Sequence, residues 1–428
     1  MNIVFILNWR IIMSKIIINS SKPLNGNVEI SGSKNSALPI IAACLLTKGR
    51  NILENIPDIS DIDVMCEIMQ NLGCEVKKDK DRLIIDSSNS KPNTLPYELT
   101  GRIRASFLVS GPLISRFGKA RTALPGGCSI GTRPVDLHLK GFVSLGCQYE
   151  IDDGYVNISG TKLKGNTIYL DFPSVGATQN IIMASVLASG KTVIENCASE
   201  PEICDLADFL NKCGADINGA GTDKITIYGV EKLLPVTHRI IPDRIEAGTF
   251  MIAAVATGGR ITLKNINSTH LSSVTSKLSE IGATFIEFSD ELSVYCDRQT
   301  KSTDIKTMPF PGFPTDMQSQ IAALLCRVPG TSVITETVFE NRFMYIPELI
   351  RMNADIKVDG RVAVINGNSK LVGAEVSATD LRAGAALVIA GLSAKGRTII
   401  NNAEYLDRGY SSFTKKLKNI SADIYIEE

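Results

Sequence analysis

Gly49-Arg50-Asn51-Ile52-Leu53-Glu54-Asn55 lines up residue for residue with Gly190-Lys191-Thr192-Val193-Ile194-Glu195-Asn196, with the stretch from Gly259 to Asn265 and with that from Gly396 to Asn402. A glycine that ends an apolar, alanine-rich run and opens an alternating β-branched run reads as a helix C-cap leading into a strand. Glycines in this position stand at 49, 118, 190, 259, 330 and 396, at intervals of 69, 72, 69, 71 and 66 residues. A second helix follows each strand and closes on a related signature: Leu72-Gly73-Cys74, Leu145-Gly146-Cys147, Cys213-Gly214-Ala215 and Ile281-Gly282-Ala283, with Asn353 and Ser421 in the glycine position of the last two copies. The period exceeds that of ordinary solenoids. Each copy is therefore a layered helix-and-sheet unit large enough to carry part of a core, and the fold class is α/β (α+β).

Composition narrows the function. A chain of 428 residues is too long for one core. Lys plus Arg and Asp plus Glu are 45 each, which leaves no basic footprint for nucleic acid and points to small-molecule partners. Ten cysteines lie scattered without a CxxC pair, the usage of reduced thiols in a cytoplasmic protein, and the three histidines make no metal-ligand spacing with them. No metal or other cofactor is expected, and nothing in the chain fixes an oligomeric state. Residues 1–12 are apolar but lack the basic start and cleavage site of a signal peptide and the length of a membrane span, so they read as an N-terminal extension ahead of Met13-Ser14-Lys15.

Two features carry chemistry. In Pro125-Gly126-Gly127-Cys128-Ser129-Ile130-Gly131-Thr132-Arg133-Pro134-Val135-Asp136, a cysteine sits on a glycine-rich loop five residues before an arginine, the setting of a reactive thiolate rather than of a buried structural thiol such as Cys44 or Cys326. The second feature is positional. Counting back fourteen or fifteen residues from each repeat glycine finds Lys34, Arg104, Ser174 to Gly176, Arg244, Asp316 and Arg382; counting forward twelve to fifteen finds Arg133, Arg342 and Arg408. Cations at helix N-termini gain nothing from the macrodipole, so an anionic ligand is expected to bridge them, the bland alternative being pairs with neighbouring acids such as Asp243, Asp380 or Asp407.

The stretches Ser31-Gly32-Ser33-Lys34-Asn35-Ser36-Ala37-Leu38-Pro39, Arg104-Ala105-Ser106, the Cys128 loop through His138, Phe313-Pro314-Thr315-Asp316-Met317-Gln318, Glu336 to Phe343, Ala378-Thr379-Asp380-Leu381-Arg382 and Asp407-Arg408-Gly409-Tyr410 resemble the enolpyruvyl transferase family, in its branch that acts on UDP-N-acetylglucosamine. The resemblance runs from Met13 to the C-terminus. It implies two domains, each an inside-out α/β barrel of three βαβαββ repeats: residues 13–33 with 242–428, and residues 34–241, which carry the Cys128 loop. It also implies transfer of the enolpyruvyl group of phosphoenolpyruvate to the 3-hydroxyl of UDP-N-acetylglucosamine with release of phosphate, the first committed step of peptidoglycan precursor synthesis, without metal, nucleic acid or membrane insertion.

By motif position, Cys128 resembles the general acid, which also forms a thioether adduct with phosphoenolpyruvate and is the target of fosfomycin, and Asp316 the base near the sugar hydroxyl. Lys34, Arg133 and Arg408 match donor-binding positions, and Asn35 a neighbour of the tetrahedral intermediate. Arg342, Asp380 and Arg382 match charged positions that support closure, through an anion that offsets repulsion between facing cations. Arg104, Arg133, Pro134, Val135, Asp136, Leu137, Pro173, Ser174, Val175 and Val338 match the UDP-sugar pocket. Phe172 stands where some members have a nucleotide-contacting lysine, so it is a weaker nucleotide contact. The shikimate-pathway branch shares fold and donor but differs from Lys34-Asn35-Ser36-Ala37 and lacks the Pro-Gly-Gly-Cys loop. A non-catalytic UDP-sugar-binding paralogue would have lost Cys128, Asp316 or an arginine, and an RNA-end-processing protein would need a nucleophilic histidine motif.

Overall fold

The computed structural model describes residues 14–20, 22–124, 135–296 and 299–427. Among these residues the strands form six sheets, five of them with four strands. In the sheet built on Lys191–Glu195, the parallel neighbour is Thr167–Tyr169, and Lys224–Tyr228 and Asp216–Asn218 follow antiparallel on the other side. The same order returns around Arg50–Glu54, Arg260–Lys264 and Thr331–Thr335. Burial alternates along these strands because one face packs on helices and the other meets solvent.

The aligned heptapeptides do the same structural work in all four copies. Their last residues, Asn55, Asn196, Asn265 and Asn402, adopt left-handed backbone (φ 54 to 59°), which asparagine tolerates better than a branched residue. Each side-chain amide then donates to the carbonyl just past the parallel neighbour strand: Asn55 to Ile240 (2.8 Å), Asn196 to Leu170 (2.6 Å), Asn265 to Ile30 (2.6 Å) and Asn402 to Ala378 (3.4 Å). The signature after each second helix is equally uniform. Gly73, Gly146, Gly214, Gly282, Asn353 and Ser421 all take positive φ, so Asn353 and Ser421 occupy the glycine position by backbone conformation as well as by alignment.

The first helices, Lys34–Ala43, Val175–Ser185, Arg244–Thr257, Gln318–Leu325 and Leu381–Ser393, are apolar nearly all round and correspondingly buried. They fill two separate hydrophobic cores. One gathers side chains from Ala37 to Ile240, the other those from Ile16 to Ile30 and from Ile245 to Ile424. The N-terminal strands belong to the second: Lys15–Ile18 lies between Thr398–Asn401 and Ile424–Glu427, and Asn25–Glu29 runs parallel to Arg260–Lys264.

The chain thus passes between cores twice, near residues 31–34 and 240–244, and the two passages are stitched together. Ser33 N donates to Ile241 O (2.7 Å), Asp243 N to Ser31 O (2.8 Å), and Gly32 bridges Pro242. A Cβ on Gly32 would fall 1.7 Å from the Asn55 carbonyl oxygen, so only glycine fits at this passage. Asp243 holds both sides: Oδ1 caps the helix Arg244–Thr257 through the amides of Ile245 and Glu246, while Oδ2 accepts from the backbone amide of Lys34 (3.2 Å).

Candidate active site

Lys34 opens the helix Lys34–Ala43 and is 8% exposed. Its Nζ lies 2.7 Å from Oδ2 of Asp61, a buried carboxylate in the first turn of Ser60–Asn71. Oδ1 of Asp61 also accepts from Nε of Arg408 (3.0 Å), which comes from the other core at the end of Ala403–Arg408. Burial pulls the Lys34 ammonium below its ordinary range, opposed by Asp61 and assisted by Arg382 and Arg408. For Asp61 burial pushes upward, but Lys34 and Arg408 outweigh it and the carboxyl lies below its usual range. Asn35 is half-buried on the same helical turn as Lys34.

A second cluster forms around Asp316, which lies in the short turn Thr315–Met317. Its oxygens accept from Nη2 of Arg342 (2.9 Å) and Nη2 of Arg382 (3.0 Å), both guanidinium groups being buried. Beneath it, Gln320 Nε2 donates to the Asp316 carbonyl (2.9 Å) and to the Tyr410 hydroxyl (3.1 Å), which also meets Thr249 (3.0 Å). Buried Glu336 accepts from Thr315 Oγ1 (2.9 Å) and from the amide of Val338 (2.8 Å), fixing Val338 to the Asp316 turn. Asp380 is no partner of an arginine side chain in these bonds; it caps Leu381–Ser393 through the amides of Arg382 and Ala383. Fixed hydrogen bonds of this kind hold a carboxylate and two cations in place before a ligand arrives.

A third group surrounds His138. Arg104, at the start of Arg104–Val109, lies close enough to help hold the imidazole down, and a Cβ on Gly176 would touch the ring at 3.3 Å. The helix starts at Asp136 and Val175 therefore meet here, with Val135 buried, Leu137 and Val175 half-buried, Asp136 exposed, and Ser174 capping Val175–Ser185. Phe172 is 42% exposed and Pro173 half-buried just ahead of that cap. Cys128, Arg133 and Pro134 lie outside the described residues. Among the described residues no cluster of three or more His, Cys, Asp or Glu side chains has metal-binding geometry, and no helix is long and apolar enough to cross a membrane.

Among the described residues, Arg244, Arg342, Arg382 and Arg408 do not face one another bare, as repulsion across the site requires. Arg408 pairs with Asp61, Arg342 and Arg382 with Asp316, and Arg244 with Glu202 (2.9 Å). Two of these pairs, Arg408 with Asp61 and Arg244 with Glu202, join one core to the other. Asp61 and Glu202 are the residues that reading by charge missed, yet both stand twelve residues after a repeat glycine, the register of Arg342 and Arg408. The signal was the register itself, not the sign of the charge in it.

The family model described as EPSP synthase (3-phosphoshikimate 1-carboxyvinyltransferase) matches residues 18–417. The structure is similar to that of the enolpyruvyl transferase NikO from Streptomyces tendae, with a TM-score of 0.88 and 27% identity over 97% of this chain and 99% of that one. The EPSP synthase of Acinetobacter baumannii shares the fold at a TM-score of 0.76 and 18% identity, over 97% of this chain and 100% of that one. Relatives named UDP-N-acetylglucosamine 1-carboxyvinyltransferase are 55% identical in Caldanaerobacter subterraneus and 54% in Clostridium tetani, each over 96% of this chain and 99% and 100% of theirs. The chain belongs to the UDP-N-acetylglucosamine 1-carboxyvinyltransferase family.

Proposed function

We propose that this protein transfers the enolpyruvyl group of phosphoenolpyruvate to the 3-hydroxyl of UDP-N-acetylglucosamine and releases phosphate, supplying peptidoglycan synthesis in the cytoplasm. The observation that carries the reading is the gathering between the two cores of Lys34 and Arg408, which share Asp61, with Arg382, which acts on Lys34 and with Arg342 holds the carboxylate of Asp316. Cations that bind phosphate and carboxylate, next to a carboxylate able to take a proton, are what this chemistry needs.

In this reading the Cys128 thiol protonates the methylene carbon of phosphoenolpyruvate, and the thiolate left behind adds reversibly to the cationic carbon as the thioether adduct, whose C–S bond breaks again to free the cation. The sugar hydroxyl adds to the resulting cationic carbon and loses its proton to Asp316. Loss of a methyl proton to the Cys128 thiolate then expels phosphate, restores the double bond and regenerates the thiol. Lys34, Arg133 and Arg408 hold the donor, with Asn35 beside the intermediate. Arg104, the stretch from Arg133 to Leu137, Pro173, Ser174, Val175 and Val338 line the UDP-sugar pocket, and Phe172 borders it. The two cores correspond to domains 13–33 with 242–428 and 34–241, each an inside-out α/β barrel of three βαβαββ units, the second carrying the Cys128 loop.

Phosphate release tests the reading. Turnover of phosphoenolpyruvate with UDP-N-acetylglucosamine and none with shikimate 3-phosphate is the expected result; the reverse preference would assign the chain to the shikimate branch, and turnover with neither would remove the activity.

A further inference from the structure

The geometry points to Asp61 as an internal counter-anion of the donor site: its carboxylate bridges Lys34 and Arg408 and competes with the anionic groups of the incoming donor for the same two cations. The inference rests on the reading that Lys34 and Arg408 bind phosphoenolpyruvate. It adds a positioning residue that acts through both.

Asp61 meets Arg408 side-on, Oδ1 at 3.0 Å from Nε and Oδ2 at 3.5 Å from Nη2, while Oδ2 lies 2.7 Å from Nζ of Lys34. That edge of a guanidinium is one a ligand carboxylate or phosphate also uses. The Asp61 side chain is only 6% exposed, so water does little to screen it. The surroundings are cationic: Lys34 is pressed by Arg382 as well as Arg408, and the carboxylate nearest Arg382, Asp316, is already shared with Arg342. Without a donor, Lys34 is a buried cation that needs an anion close by, because a buried charge left without one is strongly destabilising. Asp61 supplies it.

When a donor carrying both a phosphate and a carboxylate arrives, the charge balance inverts. Lys34 and Arg408 then have several anionic oxygens to serve, and Asp61 adds repulsion where it had added neutrality. It therefore holds the two cations in place across the junction between cores at the expense of affinity for free anions. The placement fits the repeat: Asp61 stands twelve residues after Gly49, where Arg342 and Arg408 stand twelve after Gly330 and Gly396, so this copy, like the one that carries Glu202, presents an acid in a register that two others use for a cation.

The test is Asp61→Asn, which keeps the shape and removes the charge, with inorganic phosphate as the probe and no acceptor sugar present. Calorimetry should show phosphate binding about tenfold tighter than to the unaltered protein, and phosphate should raise the melting temperature of the variant more. Structural damage alone would weaken binding, so tightening is a specific readout. Asp61→Glu, which keeps the charge, should restore affinity to within about twofold of the unaltered protein. Should Asp61→Asn fold only in phosphate buffer, the added anion has replaced the missing carboxylate and the inference stands. Unchanged or weaker phosphate binding overturns it, as does a variant that folds in neither condition. Phosphate binding needs no turnover, so this outcome is separable from failure of the proposed reaction, which the unaltered protein tests by itself.

Discussion

At the scale of single residues, environment decides which thiol and which carboxylate can react. Burial pushes the thiols of Cys66, Cys74, Cys213 and Cys326 up to about 12 and those of Cys147 and Cys197 to about 11, so they remain protonated and inert at neutral pH. Cys128 is thus expected to be the cysteine whose alkylation abolishes turnover: mass spectrometry after treatment with fosfomycin should find one adduct, on Cys128, in step with lost activity. Full activity with Cys128 labelled would remove it from the mechanism. Cys128→Asp should resist the drug and keep some turnover, because a carboxylic acid still donates a proton. Asp316 is held by two guanidinium groups, so Asp316→Asn keeps its shape but loses proton acceptance and part of the pairing. Its kcat should fall by about 10²-fold or more with UDP-sugar binding retained; lost affinity with an unchanged maximal rate would make it a binding residue only.

At the scale of elements, His138 shows how helix starts are joined. Its Nδ1 accepts from Asn180 Nδ2 (2.9 Å), and its ring packs edge-on against Phe107. Burial, with a smaller contribution from Arg104, lowers it from 6.5 to about 3. Below pH 6.5 the unfolded chain therefore binds a proton that the folded chain refuses, and stability falls as the pH falls, by about 1.4 kcal/mol per unit from this group until the folded value is reached. Urea midpoints at pH 7, 6 and 5 should show this slope in the unaltered protein and lose it in His138→Gln; equal slopes would refute the assignment. These elements were largely legible beforehand. The repeat glycines, the aligned heptapeptides and the Asn353 and Ser421 positions depend on local backbone conformation, which neighbouring residues in the chain control.

At the scale of the whole molecule, opposite charges join the two cores. Arg244 and Glu202 form one such buried link, and Ser199 Oγ donates to the Phe310 carbonyl (2.9 Å) beside it. Arg244→Met should destabilise the protein by about 3–5 kcal/mol in urea unfolding, because Glu202 is left buried without its cation, and adding Glu202→Gln should recover much of that loss. If the double variant is no more stable than the single one, the link between cores does not depend on this pair. The sequence by itself determined the recurring passage from helix through glycine or asparagine into strand, and with it the helix and strand positions, because each rests on patterns within a few residues. Only the tertiary structure decided which acid meets which cation. Arg408 pairs with Asp61, and Arg382 with Asp316 rather than with Asp380 beside it, because an ion pair depends on distance in space, and the residues that meet here come from repeats far apart in the chain.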